Sequence, residues 1–334
     1  MTTRIRPELF LMAALVLVLA AIPVFVHNNY RIFTLTLIGL FTLLTVGLSL
    51  VMGYAGQVSL GHATFYGMGA YLTALLSSSL GMPSWAALVA SALITGLVGF
   101  VIGIPIFRLR GPYLAMATLG LNVIFILLVK NEGQITGGPS GFTNIPPLAF
   151  AGRIFDTDAE MYYLVWVIAL GVLLLSLNIV NSRVGRALRA IHASEVAAET
   201  LGIDANAYKL KIFGLAAGYA GLAGALYAQT IRFISPSSFD VLVSIELVTM
   251  AAIGGLASIW GSIFGAATVV YMADIIRDWM SELLAGAPGE GEIIVFGLLL
   301  VVIMVFMPEG VTAGGVKAVR NWQARRHEHV PSRT

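Results

Sequence analysis

Residues 183–211 read RVGRALRAIHASEVAAETLGIDANAYKLK, and they place five of the chain's 19 basic residues beside Glu195, Glu199 and Asp204. Side chains of both signs on a short helical stretch offer a charged surface on which a water-soluble partner can dock. A second polar group is threaded between glycines: Gly53, Gly56, Gly61, Gly67 and Gly69 alternate with Gln57, Ser59, His62 and Thr64. Glycine at that density disfavours regular helix, so the freed backbone groups need protein or water as partners. A carboxylate, Glu246, lies inside the apolar run VLVSIELVTMAAIGG, and Thr118 and Asn122 stand one helical turn apart on another. These residues can bind and conduct. They are poorly suited to catalysis, because no nucleophile has an adjacent base, and ITGGPSGF lacks the Gly-Lys-Ser/Thr that holds nucleotide phosphates. No His-Glu-x-x-His helix occurs, His62 alone is no metal site or proton relay, and the chain has no cysteine. Catalytic and metal sites are therefore both expected to be absent.

The elements that must position these residues are membrane helices. The 334 residues are 58% hydrophobic and 11% charged, with a mean hydropathy of +0.90. That composition belongs to an integral membrane protein. Apolar runs at 9–26, 33–52, 63–80, 84–107, 113–130, 161–181, 210–231, 242–257, 258–276 and 292–308 predict an all-α, polytopic bundle of about ten transmembrane helices. The first run follows Arg4 and Arg6 and is read as a helix rather than a signal peptide, since it exceeds a typical signal core and further spans follow. The glycine-broken stretches at 53–80 and 242–276 are broken or re-entrant segments. In a membrane chain the glycine-rich stretch at 53–69 borders a water-filled passage or packs helices together, and Glu246 requires a partner or a cavity.

Charge placement orients the bundle. Arg4 and Arg6, Arg108 and Arg110, the 183–211 segment and the tail with Lys317, Arg320, Arg325, Arg326 and Arg333 share one side when ten spans alternate. The positive-inside rule makes that side the cytoplasm, with both termini there. Residues 1–316 read as one membrane domain and 317–334 as a polar tail. A faint echo links Gly53–Leu72 with Gly254–Met272, both glycine-interrupted runs followed by small residues. Gly214, Gly218, Gly221 and Gly224, the pair Gly99 and Gly103, and the pair Gly261 and Gly265 fall at helical spacing, as packing seams within the subunit or against a partner.

Within 183–211, Val184, Leu188 and Ile191 recur on one face, which predicts a single amphipathic helix over 184–201. Gly202 supplies a left-handed C-terminal cap, and Asp204 caps the next helix. The result either rests on anionic headgroups or docks a soluble subunit.

The segment GRALRAIHASEVAAETLGIDANAYKLKIFGLAAGYAGLAGALYA resembles the cytoplasmic loop and following helix of the permeases of branched-chain amino-acid ABC importers, more closely the M-type member of the two paired permeases. GYAGQVSLGHATFYGMGAYL, RGPYLAMATLG, ITGGPSGF, FISPSSF, IGGLASIWGSIFGA and FGLLLVVIMVFMPEGV agree in order from Gly53 to Val311. The resemblance implies a permease domain over 1–316 whose coupling loop, 183–209, includes Arg186, Arg189, Glu195, Ala197, Ala198, Gly202 and Asp204. The wider superfamily carries a Glu-Ala-Ala pattern there with glycine six residues after the glutamate; here Gly202 comes one position later. It also implies a prokaryotic inner-membrane location, a second similar permease, two cytoplasmic ATP-binding subunits that carry ATP and Mg²⁺, and a soluble periplasmic or extracellular binding protein. This chain itself binds no cofactor or nucleic acid. Gly53, Gly56, Gln57, Ser59, Gly61, His62, Glu246, Gly254 and Gly255 are the candidate lining of the path. The implied substrates are leucine, isoleucine and valine, although similar permeases serve urea, short amides and aromatic acids. An ion-coupled secondary transporter, using Glu246 and Asp274, is the alternative from another class, and a membrane scaffold a third.

Overall fold

The structure is a computed structural model that describes residues 7–283, apart from His27 and Ala151, together with Gly297. The span expected at 292–308, Arg4 and Arg6, and the tail at 317–334 lie outside the described residues, Gly297 apart. Helix α1 (Pro7–Phe25) is followed by α2 (Asn29–Ser49), which runs into a π turn at Leu50–Tyr54. After a short irregular stretch come α3 (His62–Ala74), with a second π turn at Leu75–Ser79, then α4 (Ser84–Ile106) and α5 (Pro112–Asn131). One helical turn, α6 (Gly133–Thr136), and a small antiparallel hairpin of β1 (Ala149–Phe150) and β2 (Arg153–Ile154) lead to α7 (Asp158–Asn181). The chain continues through α8 (Arg183–Ala193), α9 (Glu195–Thr200), α10 (Ala205–Ile231), α11 (Val241–Gly254) and α12 (Gly261–Leu283). Apart from that hairpin, the described chain is helical, as its composition requires.

Six helical segments among the described residues are long and apolar enough to cross a membrane: 29–54, 84–106, 112–131, 158–181, 205–231 and 236–254. The expected count of about ten is not confirmed by them, the run at 292–308 lying outside the described residues apart from Gly297. Helix α12 contributes only a shorter apolar stretch, Gly261–Ile276. Helix α3 is rich in polar and small residues, and it tolerates them because nearly all of it is buried among its neighbours.

Helix α10 is the axis of the bundle. Its alanines and glycines leave a narrow rod, against which α3 and α4 close to backbone distance. A Cβ on Gly224 would overlap the Tyr66 carbonyl of α3, and one on Gly69 would overlap the backbone of Gly221. On the other flank Gly96 meets Gly214 and Gly218, and Gly99 meets Ala217. Such contact replaces the hydrophobic effect as a source of cohesion in lipid. The seams at Gly214, Gly218, Gly221 and Gly224 are thus consumed within the chain, so they leave no surplus packing surface to argue for a partner permease. Gly261 and Gly265 likewise seat α12 on Gly254 and Met250 of α11.

Two helical pairs, α2 with α3 and α11 with α12, have the same plan of a helix, a glycine-containing break and a second helix. The breaks meet each other. Gly53 lies against the Leu256 carbonyl, and the Ser49 and Ser262 hydroxyls are 3.2 Å apart. The two ITGGPSGF and FISPSSF stretches also meet, at the far end of the bundle, where Phe142 and Ile234 form a β-bridge with N···O distances of 2.8 and 3.0 Å. Arg232 pairs with Asp156 nearby. Asp274 accepts hydrogen bonds from Tyr30 and Thr34 of α2, at 3.1 and 3.2 Å, which binds α12 to α2.

Replacing Gly224 by Val must separate α10 from α3. A loss of about 3 kcal/mol or more is expected from overpacking, seen as a lower thermal midpoint in detergent, whereas Gly171→Ala, where no atom lies within 4 Å, leaves the midpoint in place.

Candidate functional site

Three serine or aspartate caps and one glycine cut the 183–211 segment into rigid pieces. The Ser182 hydroxyl accepts from the Val184 N–H at 3.0 Å and opens α8, while Gly185 presses on the Val180 carbonyl with no room for a Cβ. Arg189 donates to that same carbonyl at 3.1 Å, placing a cation at the end of α7, where the helix dipole favours one. Ser194 is extended, and its hydroxyl accepts from the Ala197 N–H at 3.3 Å. The single helix expected over 184–201 is therefore two helices, because a serine that can cap α9 competes with continuing α8. Leu188 and Ile191 are buried as the periodicity requires, but Val184 is exposed; Gly185 and Ala187 complete the inner face instead.

Gly202 adopts φ +82° and ends α9. Its N–H donates to the Glu199 carbonyl at 2.9 Å and the Ile203 N–H to the Ala198 carbonyl at 3.1 Å, which is the Schellman arrangement. Ile203 then packs with Ala198, Ile191 and Ala205. Asp204 accepts from the Ala207 N–H at 3.0 Å and starts α10. Ala197 is exposed and Ala198 buried, and Arg186 is exposed with no ion pair among the described residues. The outermost apolar side chain of the unit is Leu201, 80% exposed.

Two contacts tie this unit to the bundle. The Lys209 ammonium, 3% exposed at the foot of α10, lies 2.5 Å from one Glu195 carboxylate oxygen, and Arg110, in the α4–α5 loop, lies 3.9 Å from the other. His192 Nδ1 is 2.8 Å from the Gly53 carbonyl oxygen, where the π turn of α2 unwinds. Sequence reading assigned no role to His192 or Lys209, and treated the glycine-rich stretch as separate from the loop. The structure joins them. A cavity of about 360 Å³ opens where they meet, walled by Gly56, Gln57, Arg110, Leu114, His192 and Glu195 among others.

The remaining candidates divide by burial. Gly53, Gly61 and Gly254 are buried against the backbones of Leu256, Thr118 and Gly261, so each is glycine because two stretches of backbone touch there. Gly56 and Gly255 have φ +68° and +94°, which carry the chain around the two breaks. Gln57 is half-buried, and its amide nitrogen donates to the Ala55 carbonyl at 3.0 Å. Ser59 and His62 are buried, and the Ser59 hydroxyl and both His62 ring nitrogens have no hydrogen-bond partner. Beside them, Thr118 accepts from the Leu60 N–H, Ser244 from the Ala63 N–H, and Asn122 donates to Thr64 and to the Phe239 carbonyl. Thr118 and Asn122, minor candidates from sequence, thus belong to the polar surroundings of the α3 start. Glu246 is half-buried on α11, two residues beyond Ser244, with no ion pair among the described residues. No group of three or more His, Asp or Glu side chains that could hold a metal ion occurs among the described residues.

Comparison with known proteins identifies the family. A family model described as the branched-chain amino acid transport system permease component matches residues 30–306. The chain is 32% identical over 329 residues to the high-affinity branched-chain amino acid transport system permease protein LivM of Salmonella typhimurium, and 33% identical over 329 residues to LivM of Escherichia coli K12. Each match covers 92% of this chain and 75% of the relative. Similarity to the permease protein LivH of Salmonella typhimurium is 25% over 279 residues, covering 79% of this chain and 88% of that one.

Lys209→Met leaves Glu195 without its buried partner and is expected to cost about 3–5 kcal/mol. Lys209→Met combined with Glu195→Gln recovers part of that loss, since no charge is then stranded. Thermal unfolding of the three variants checks both expectations, and additive losses would count against the pair.

Proposed function

This chain belongs to the branched-chain amino acid transport permease family, and we propose that it forms half of the translocation path of an ATP-binding-cassette importer for leucine, isoleucine and valine. ATP and Mg²⁺ belong to two separate cytoplasmic ATPase subunits, a second similar permease completes the path, and a soluble binding protein delivers substrate. Residues 1–316 then form the permease domain in the inner membrane, with both termini cytoplasmic, 183–209 as its coupling loop and 317–334 as a polar tail. The higher identity to LivM than to LivH supports the M-type place in the pair.

The observation that carries this reading is the build of the 183–209 unit. Transmitting movement between rigid bodies requires an element that does not bend. Here α8 and α9 are capped at each junction, closed by the Gly202 turn and bonded to the bundle through Glu195 and His192, while Leu201 projects outward. Both helical breaks sit directly behind it. Movement received at α9 has a short mechanical route to Gly53 and its neighbour Leu256.

Gly202→Val forces a β-branched residue into left-handed geometry at a cost of about 1–2 kcal/mol and distorts the α9 end. In the assembled complex this variant is expected to lose most ATPase stimulation by loaded binding protein and most leucine uptake. Full coupling with full uptake would sink the reading, and uptake of urea, amides or aromatic acids in place of leucine would change the substrate.

The path itself is tested by single cysteines, since the chain has none of its own. Gln57→Cys is expected to react with a membrane-impermeant thiol reagent in the resting complex, whereas Ser59→Cys and His62→Cys, both buried, react only during ATP turnover. Protection of both throughout turnover, with normal uptake, would put the path elsewhere.

A further inference from the structure

The cavity beneath α8 and α9 has walls of three kinds. Arg110, Glu195, His192 and Gln57 form its charged and polar side, Val58, Leu114, Ile191 and Ala55 its apolar side, and Gly56 and Gly111 add bare backbone. At about 360 Å³ it falls within the range of roughly 300–1,000 Å³ typical of small-molecule sites.

The charges do not cancel. One carboxylate here faces two cations: Lys209 holds one Glu195 oxygen, while Arg110, 74% exposed, comes no nearer than 3.9 Å to the other. Arg110 is free to take a carboxylate in the bidentate manner that guanidinium favours. His192 is constrained in the opposite sense. A carbonyl oxygen only accepts, so the contact with Gly53 requires the proton on Nδ1, and Nε2 of the neutral ring is left as an acceptor. Together with the Glu195 oxygen that faces Arg110, it offers acceptors for an ammonium group.

We propose that this cavity binds a free α-amino acid with an aliphatic side chain, its carboxylate on Arg110, its ammonium on Glu195 and His192, and its side chain against Val58, Leu114 and Ile191. The three demands of such a zwitterion, a cation, an anion or lone pair, and an apolar wall, coincide in this cavity. The identity of the side chain rests on the importer reading above, as does the placement of the site on the face where product is released. The site is distinct from the α3 start, where Ser59 and His62 are buried and do not line this cavity.

The test is equilibrium binding of radiolabelled leucine to the full permease and ATPase complex in nanodiscs, without binding protein. Saturable binding is expected, weakened on the order of tenfold or more by Arg110→Gln, with the thermal midpoint of the variant unchanged as evidence that it folds. In the unmodified complex, leucinamide, which lacks the carboxylate, and 4-methylpentanoate, which lacks the ammonium, are expected not to displace leucine, while isoleucine and valine do. Absence of saturable binding, equal binding by Arg110→Gln, or displacement by 4-methylpentanoate as effective as that by leucine would overturn the proposal. Uptake of leucine by the same preparation supplied with binding protein separates the two readings: uptake without binding defeats this site alone, and failure to take up any branched-chain amino acid defeats the importer reading.

Discussion

An ammonium group withdrawn from water must have a carboxylate beside it, and the rest of this architecture follows from where the chain satisfies that demand. Lys209 is buried at the foot of α10, the central helix, so its partner has to come from whatever covers that foot. Glu195 is that partner, at the first residue of α9, where the helix dipole also favours a negative charge. The position of α9 is therefore dictated by the core of the bundle and not by the loop that carries it. Ser194 and Gly202 give the chain the two sharp changes of direction needed to bring a six-residue helix to that place.

Close backbone contact is the second organising influence, and it acts where lipid offers no hydrophobic drive. Along α10, glycine and alanine bring α3 and α4 to the helix axis. At the ends of α2 and α11, glycines at 53 and 254 let the two breaks touch neighbouring backbone. The same residue type serves unlike purposes, cohesion along a seam and freedom at a turn. Only φ and the neighbouring atoms distinguish them.

That difference marks how far the sequence could be read. Hydropathy and charge identified a helical membrane bundle and set Arg110 on the same end as 183–211, which the Arg110–Glu195 proximity bears out. Gly202 and Asp204 were legible as caps, because capping depends on a few adjacent residues. The division at Ser194 was not, since its hydroxyl could as well have pointed to water within one longer helix. His192 and Lys209 were invisible for another reason: Gly53 reaches His192 across 139 residues, and Glu195 reaches Lys209 only once the turn at Gly202 folds α9 back on the foot of α10, which local spacing does not announce. Composition also presented 63–80 as one apolar run, whereas α3 ends at Ala74 and passes into a π turn at Leu75–Ser79, a change of helix type that hydropathy does not record.

The π turn at Leu50–Tyr54 has a mechanical meaning of its own. A π turn holds one residue more than the α turns around it, which makes it the helical counterpart of a dislocation in a crystal: the surplus can travel one step at a time while few hydrogen bonds are open at once. Each step displaces only the residue it passes, by about 1.5 Å and a rotation of about 100°, and leaves the chain on either side in place. In this chain the surplus lies at the end of α2, immediately before the break, and the neighbouring Gly53 carbonyl is gripped by His192. The contact with His192 therefore falls inside the defect itself, so the α8–α9 unit is tied to the place where α2 leaves α-helical register.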